Sequence, residues 1–131
     1  MASNPPSDWQ HLDRFAFGDG PALADELLAL VLDGDKRATC WDAADGAKGT
    51  VVGKRWIVLD GSGDPRAVLE TVELTKRRFN EVDAAFARDE GEGDRSLDDW
   101  RRGHRAYFER RGHFADDMPL WCERFKLIDR R

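Results

Sequence analysis

Cysteine, histidine and long apolar stretches are all scarce in this chain. Its two cysteines, Cys40 and Cys122, sit in no secretory context, which argues against a disulfide scaffold. They read as two small buried apolar residues. The three histidines, His11, His104 and His113, show no zinc-site spacing with them. No apolar run approaches the length of a bilayer span. Met1 to Gln10 lacks the basic and apolar regions of a signal peptide. The expectation is a cytoplasmic protein with no membrane partner. Residues 1–13 read as a disordered or loosely packed lead, and 14–131 as one domain. Excess basic charge is also missing. A net charge of −5 excludes a surface coated for nucleic acid, though not a local basic cleft. No internal repeat or low-complexity tract is visible.

What is present is a soluble composition. The chain has 131 residues, 40% of them hydrophobic and 36% charged, enough for one domain with a core. Leu23, Leu27, Leu30 and Val31 recur at helical spacing within Pro21 to Asp33, and Gly34 ends that helix. Trp41 to Thr50 reads as a loop. Arg55 to Leu59 and Arg66 to Lys76 read as antiparallel strands joined by a tight turn at Asp60 to Pro65. A second helix is expected from Phe79, with Asn80 as its cap and Val82, Ala85 and Phe86 facing inward. Ser96 caps a third helix whose inner face carries Trp100, His104, Tyr107 and Phe108. Met118 to Ile128 closes the chain as a strand. The class is α+β: a small, mostly antiparallel curved sheet or barrel with helices at its rim.

Three groups could carry chemistry. Lys36 and Thr39 lie just after the first helix. A threonine hydroxyl needs a base to act as a nucleophile, and a lysine serves only if its pKa is lowered, which the adjacent Arg37 favours. Glu90-Gly91-Glu92-Gly93-Asp94 is a glycine-spaced acidic loop. It could bind a divalent metal through oxygen, or supply a carboxylate for proton transfer. Trp100, His104 and Tyr107 read as helix packing, while Trp41 could stack on a base. Arg37, Lys54, Arg55 and Arg77 belong to a basic middle third that could contact phosphates.

Gly34-Asp35-Lys36-Arg37-Ala38-Thr39 matches the G-x-K-x-x-T signature of the ASCH domain family. Arg78-Phe79-Asn80-Glu81-Val82, the acidic loop, Trp100-Arg101 and His104 resemble the middle block of its bacterial single-domain subgroup. Asp117-Met118-Pro119-Leu120 and Cys122-Glu123-Arg124-Phe125 resemble its closing strand. The resemblance covers Phe17 to Ile128. It implies a PUA-like β-barrel, with the signature turn projecting into a cleft and RNA or a small nucleoside as ligand. Some members resemble amidohydrolases that deacylate acetylcytidine with a Lys, Thr and Glu trio; others look like metal-assisted ribonucleases. On that pattern Lys36 and Thr39 carry over directly, with Glu90 ahead of Glu92 for the acid. A Gly-Asp pair of the subgroup is replaced by Gly53-Lys54, which makes the cleft more cationic. A non-catalytic RNA-binding module is the alternative. No cofactor is firmly implied, and the oligomeric state is left open.

Overall fold

A computed structural model describes Trp9 and residues 11–131; most of the expected disordered lead lies outside the described residues. Among the described residues five strands form one mixed sheet in the order β1-β3-β4-β5-β2. These are β1 (Asp13–Phe15), β2 (Ala38–Asp42), β3 (Arg55–Leu59), β4 (Pro65–Arg78) and β5 (Pro119–Arg130). Among the described residues the sheet curls into a half-barrel and carries the helices α1 (Pro21–Leu32), α2 (Ala84–Glu90) and α3 (Leu97–Arg110). Only β1 and β3 run parallel; the other pairs are antiparallel, as the alternation of strands and tight turns implied. The long β4–β5 ladder is the spine. Register shifts at Val68/Leu69 and Thr71/Glu73 mark bulges, which bend a strand and increase its twist.

The core divides around the sheet. Leu27, Leu28 and Val31 of α1 pack on Val58, Ala67, Leu69 and Phe125. Phe86 and Ala87 of α2 and Trp100 and Phe108 of α3 pack on Ala38, Leu120 and Cys122. Trp9, assigned to the lead by sequence, is buried against Ile57 and Val68. Asp13, the last residue of that lead, opens β1.

Three local expectations are corrected. The segment at Phe79 is a single 3-10 turn (Phe79–Glu81), and α2 begins only at Ala84. Asp83 caps it by accepting from Phe86 N at 2.9 Å. That phase buries Phe86, Ala87 and Glu90 and leaves Ala85 exposed. Ala38–Asp42 is a strand, so Trp41 stands in the sheet rather than opening a loop. In α1 Ala24 and Leu28 are buried, whereas Leu23 is 36% exposed and turns toward a cleft.

Candidate functional site

The linker between α1 and β2 is built to place one side chain. After α1, Gly34 takes a positive φ of 85°, which an L side chain rarely adopts. The amides of Asp35 and Lys36 both return to Leu30 O, at 3.0 and 3.1 Å. Arg37 N donates to Asp89 O in α2, and Arg37 O accepts from Phe125 N in β5. Main-chain bonds on both sides therefore direct Lys36 inward, where it is 1% exposed. From the other direction, α2 ends at Gly91 with φ 74°. A Cβ there would collide with Asp35 O and the Lys36 backbone, so glycine is required for this close approach.

Lys36 Nζ reaches Glu92 Oε2 at 2.7 Å, Ala38 O at 2.8 Å, Glu90 O at 3.2 Å and Glu90 Oε1 at 3.3 Å. The other oxygen of Glu90, Oε2, accepts from Trp100 Nε1 at 2.9 Å and lies 3.5 Å from His104 Nε2. His104 stacks on Trp100 with ring centroids 4.2 Å apart, and its Nδ1 is 2.9 Å from Trp100 O. With Nδ1 donating to that carbonyl, Nε2 faces Glu90 favourably only when protonated.

The charges lock one another. Burial alone would lower the Lys36 pKa; Glu90 and Glu92 outweigh it and raise it. Burial would raise that of Glu90, yet Lys36, His104 and Trp100 hold its carboxyl well below the usual range. Burial would lower that of His104, and Glu90 reverses the sign. Lys36 is thus held as an ammonium. Arg37 cannot depress it, because its guanidinium turns outward to Asp89 at 3.1 Å.

This cluster forms part of the lining of a cleft of about 650 Å³. Thr39, Lys36, Glu90 and Glu92 all line it, so the fold gathers all four catalytic candidates. No hydrogen bond joins Thr39 to Lys36 among the described residues. Trp41, Trp56 and Tyr107 supply aromatic wall. Lys48, Arg110 and Arg111 bring positive charge, balanced by Asp42, Asp45 and Asp99.

The remaining candidates lie outside this lining. Lys54 bonds Asp13 at 2.7 Å and covers the Trp56 ring at 4.2 Å. Arg55 pairs with Glu70 at 3.0 Å and Arg77 with Asp83 at 3.5 Å. Sequence reasoning missed the three cleft cations. The only available signal was their place beside turn glycines, Gly49 and Gly112. It also treated His104 and Cys40 as packing, whereas both face Glu90.

A divalent site on the acidic loop, one of the possibilities open from the sequence, does not fit the donors. Glu90 and Glu92 are committed to Lys36, and Asp94 accepts from Ser96 N at 2.8 Å, so the loop carboxylates do not converge on one point. Cys40, Glu90 and His104 offer ligand atoms within 4.8 Å of one another. An ammonium 3.3 Å from Glu90 opposes a second cation there. Burial also raises the Cys40 thiol well above its ordinary pKa, and Glu90 adds to the effect, disfavouring the thiolate a metal needs. Cys122, its strand neighbour, is pushed up to about 12 by burial.

Comparison with known proteins agrees with this architecture. No curated protein shows a match to the chain. An ASCH domain from Lactobacillus crispatus is 32% identical with a TM-score of 0.80, over 92% of this chain and 82% of that one. Protein EF3133 from Enterococcus faecalis is 30% identical with a TM-score of 0.80, over 90% and 77%. Hypothetical protein PH0355, 14% identical with a TM-score of 0.59 over 79% and 93%, shares the fold. The ASCH domain family model matches residues 13–129, nearly the whole described chain; the protein therefore belongs to the ASCH domain family.

Proposed function

We propose that the cleft takes a nucleoside unit and that Lys36, Thr39 and a loop glutamate remove an acyl group from its base amine, as in acetylcytidine. The supporting observation is the convergence of an ammonium, a hydroxyl and two carboxylates in one aromatic-walled cleft. The aromatic wall suits a base, which stacks on such rings with about 1–3 kcal/mol per base. The mixed charge at Lys48, Arg110, Arg111 and the facing aspartates suits a small ligand better than a long polyanion.

In this reading Lys36 acts as the ammonium it is, turning the N–H now given to Glu92 toward the acyl oxygen and polarising it. Thr39 Oγ attacks the acyl carbon. Its proton passes to a carboxylate, Glu92 being more open than Glu90, and then to the leaving amine as the C–N bond breaks. Water then hydrolyses the threonine ester, releasing the carboxylic acid. Lys36 as a resting base, the role expected from sequence, is disfavoured by its two carboxylate partners.

The test is acetate release from acetylcytidine by purified protein, with Thr39→Val as the variant. Loss of about 10²-fold or more in kcat/KM is expected. Undiminished turnover would remove Thr39 from the mechanism. Binding without turnover favours the second reading, an RNA-binding module, which the missing Thr39–Lys36 hydrogen bond supports. A metal-assisted ribonuclease has the least support, because Lys36 already occupies the position a cation would take.

A further inference from the structure

One buried acid in the cleft plays no part in the Lys36 cluster. Glu123 of β5 is 7% exposed and lies opposite Thr39 in the β2–β5 ladder. Among the described residues no cation lies within ion-pair distance of it. Its one hydrogen bond runs from Thr71 Oγ1 to Oε2, at 2.5 Å. Thr71 is fully buried and accepts in turn from Trp56 Nε1 at 3.3 Å.

An indole N–H only donates, so Thr71 Oγ1 is the acceptor in its bond with Trp56. The Thr71 hydroxyl accepts the indole hydrogen bond and donates its own proton to Glu123 Oε2. The second oxygen, Oε1, takes no hydrogen bond from the described residues. Among the described residues no fully occluded side-chain polar atom lacks a partner, so Oε1 is not sealed off, and Glu123 is part of the cleft lining. Burial raises the Glu123 pKa and the Thr71 hydrogen bond opposes that rise. An uncompensated carboxyl costs stability in a folded interior, and such groups concentrate at ligand sites.

We propose that Glu123 is the specificity-determining residue of the cleft, accepting through Oε1 an N–H from the exocyclic amine of the bound base. This rests on the reading of the cleft as a nucleoside site. An acceptor-only oxygen favours amino-bearing bases such as cytosine and rejects a keto oxygen in the same place, as in uracil.

Cytidine and uridine 5′-monophosphates differ at that group and serve as the probes, titrated calorimetrically at pH 8. Wild-type protein binds the cytidine nucleotide about tenfold tighter. In Glu123→Gln the Thr71 proton still requires an oxygen, so the amide oxygen takes the Oε2 position and the NH₂ faces the cleft. The preference therefore reverses toward uridine. An unchanged ratio in folded Glu123→Gln overturns the proposal and leaves the nucleoside site standing, as does a wild-type protein that binds both nucleotides equally. Wild-type binding of neither nucleotide overturns both. Should Glu123→Gln not fold, ¹³C-carboxyl labelling of the wild-type protein decides. The Glu123 resonance moves with the cytidine nucleotide and not with uridine, and identical responses refute the assignment.

Discussion

Replacing Lys36 by methionine tests the electrostatic lock directly. The substitution keeps much of the side-chain volume and removes the ammonium. Glu90, itself 1% exposed, then keeps Trp100 Nε1 at 2.9 Å and His104 at 3.5 Å but loses its nearest full positive charge. The backbone carbonyls of Ala38 and Glu90 also lose a donor. Removing one partner of a buried ion pair costs about 3–5 kcal/mol, a large share of a total stability of about 5–15 kcal/mol. Urea unfolding followed by tryptophan fluorescence reads the loss. The pH dependence has a definite sign. In the wild type the Glu90 carboxyl is depressed below its ordinary value of 4.5, so its contribution is present above that value and lost as acid protonates the folded state. In Lys36→Met the largest opposing charge is gone and the carboxyl titrates higher than in the wild type, so the deficit shrinks as pH falls. Adding Glu90→Gln should recover at least about half of the loss, because the uncompensated charge is gone. A Lys36→Met deficit below about 1 kcal/mol, or strictly additive single changes, would refute the reasoning.

Other outcomes follow from the same geometry. His104 titrates above its ordinary 6.5, so its stabilising contribution is full below that value and fades as pH rises through the folded-state value; His104→Asn should flatten that alkaline slope in urea midpoints. Gly91→Ala should destabilise by about 2 kcal/mol or more, because the new methyl meets Asp35 O and the Lys36 backbone in a left-handed position; thermal melts read this. Ser96→Ala removes the acceptor for Asp99 N at 3.1 Å and should cost about 1 kcal/mol by urea unfolding. If single-stranded RNA lies along the cleft, neutralising Lys48, Arg110 and Arg111 should reduce the slope of log K against log salt by about 0.7 per lost phosphate contact.

The parts legible in sequence were those set by local rules. The α1 stripe ends at Gly34, the β3–β4 turn is tight and glycine-rich, and Ser96 caps α3 as its position suggested. The start of α2 was misplaced because Asn80 is a good cap by residue type; the bond from Phe86 N puts the cap at Asp83 instead. The parallel β1–β3 pairing involves a three-residue strand, too short to show a period. At the site, the signature and acidic loop pointed to Lys36 and Glu90, but the partners that set their charge state are far away in sequence. His104 looked like packing because it does stack on Trp100. Lys54, Arg55 and Arg77 looked free because Asp13, Glu70 and Asp83 meet them only in the fold.

Arg37 shows how little of a residue such a site requires. Its side chain is 58% exposed and turned away from the cleft, while its amide and carbonyl tie α2 to β5 around Lys36. Chemical identity at this position is therefore nearly free and amide character is not. Exchange for almost any side chain should leave the pocket standing, whereas proline, which has no N–H to offer Asp89, would unfasten the lysine from a neighbouring position without touching it.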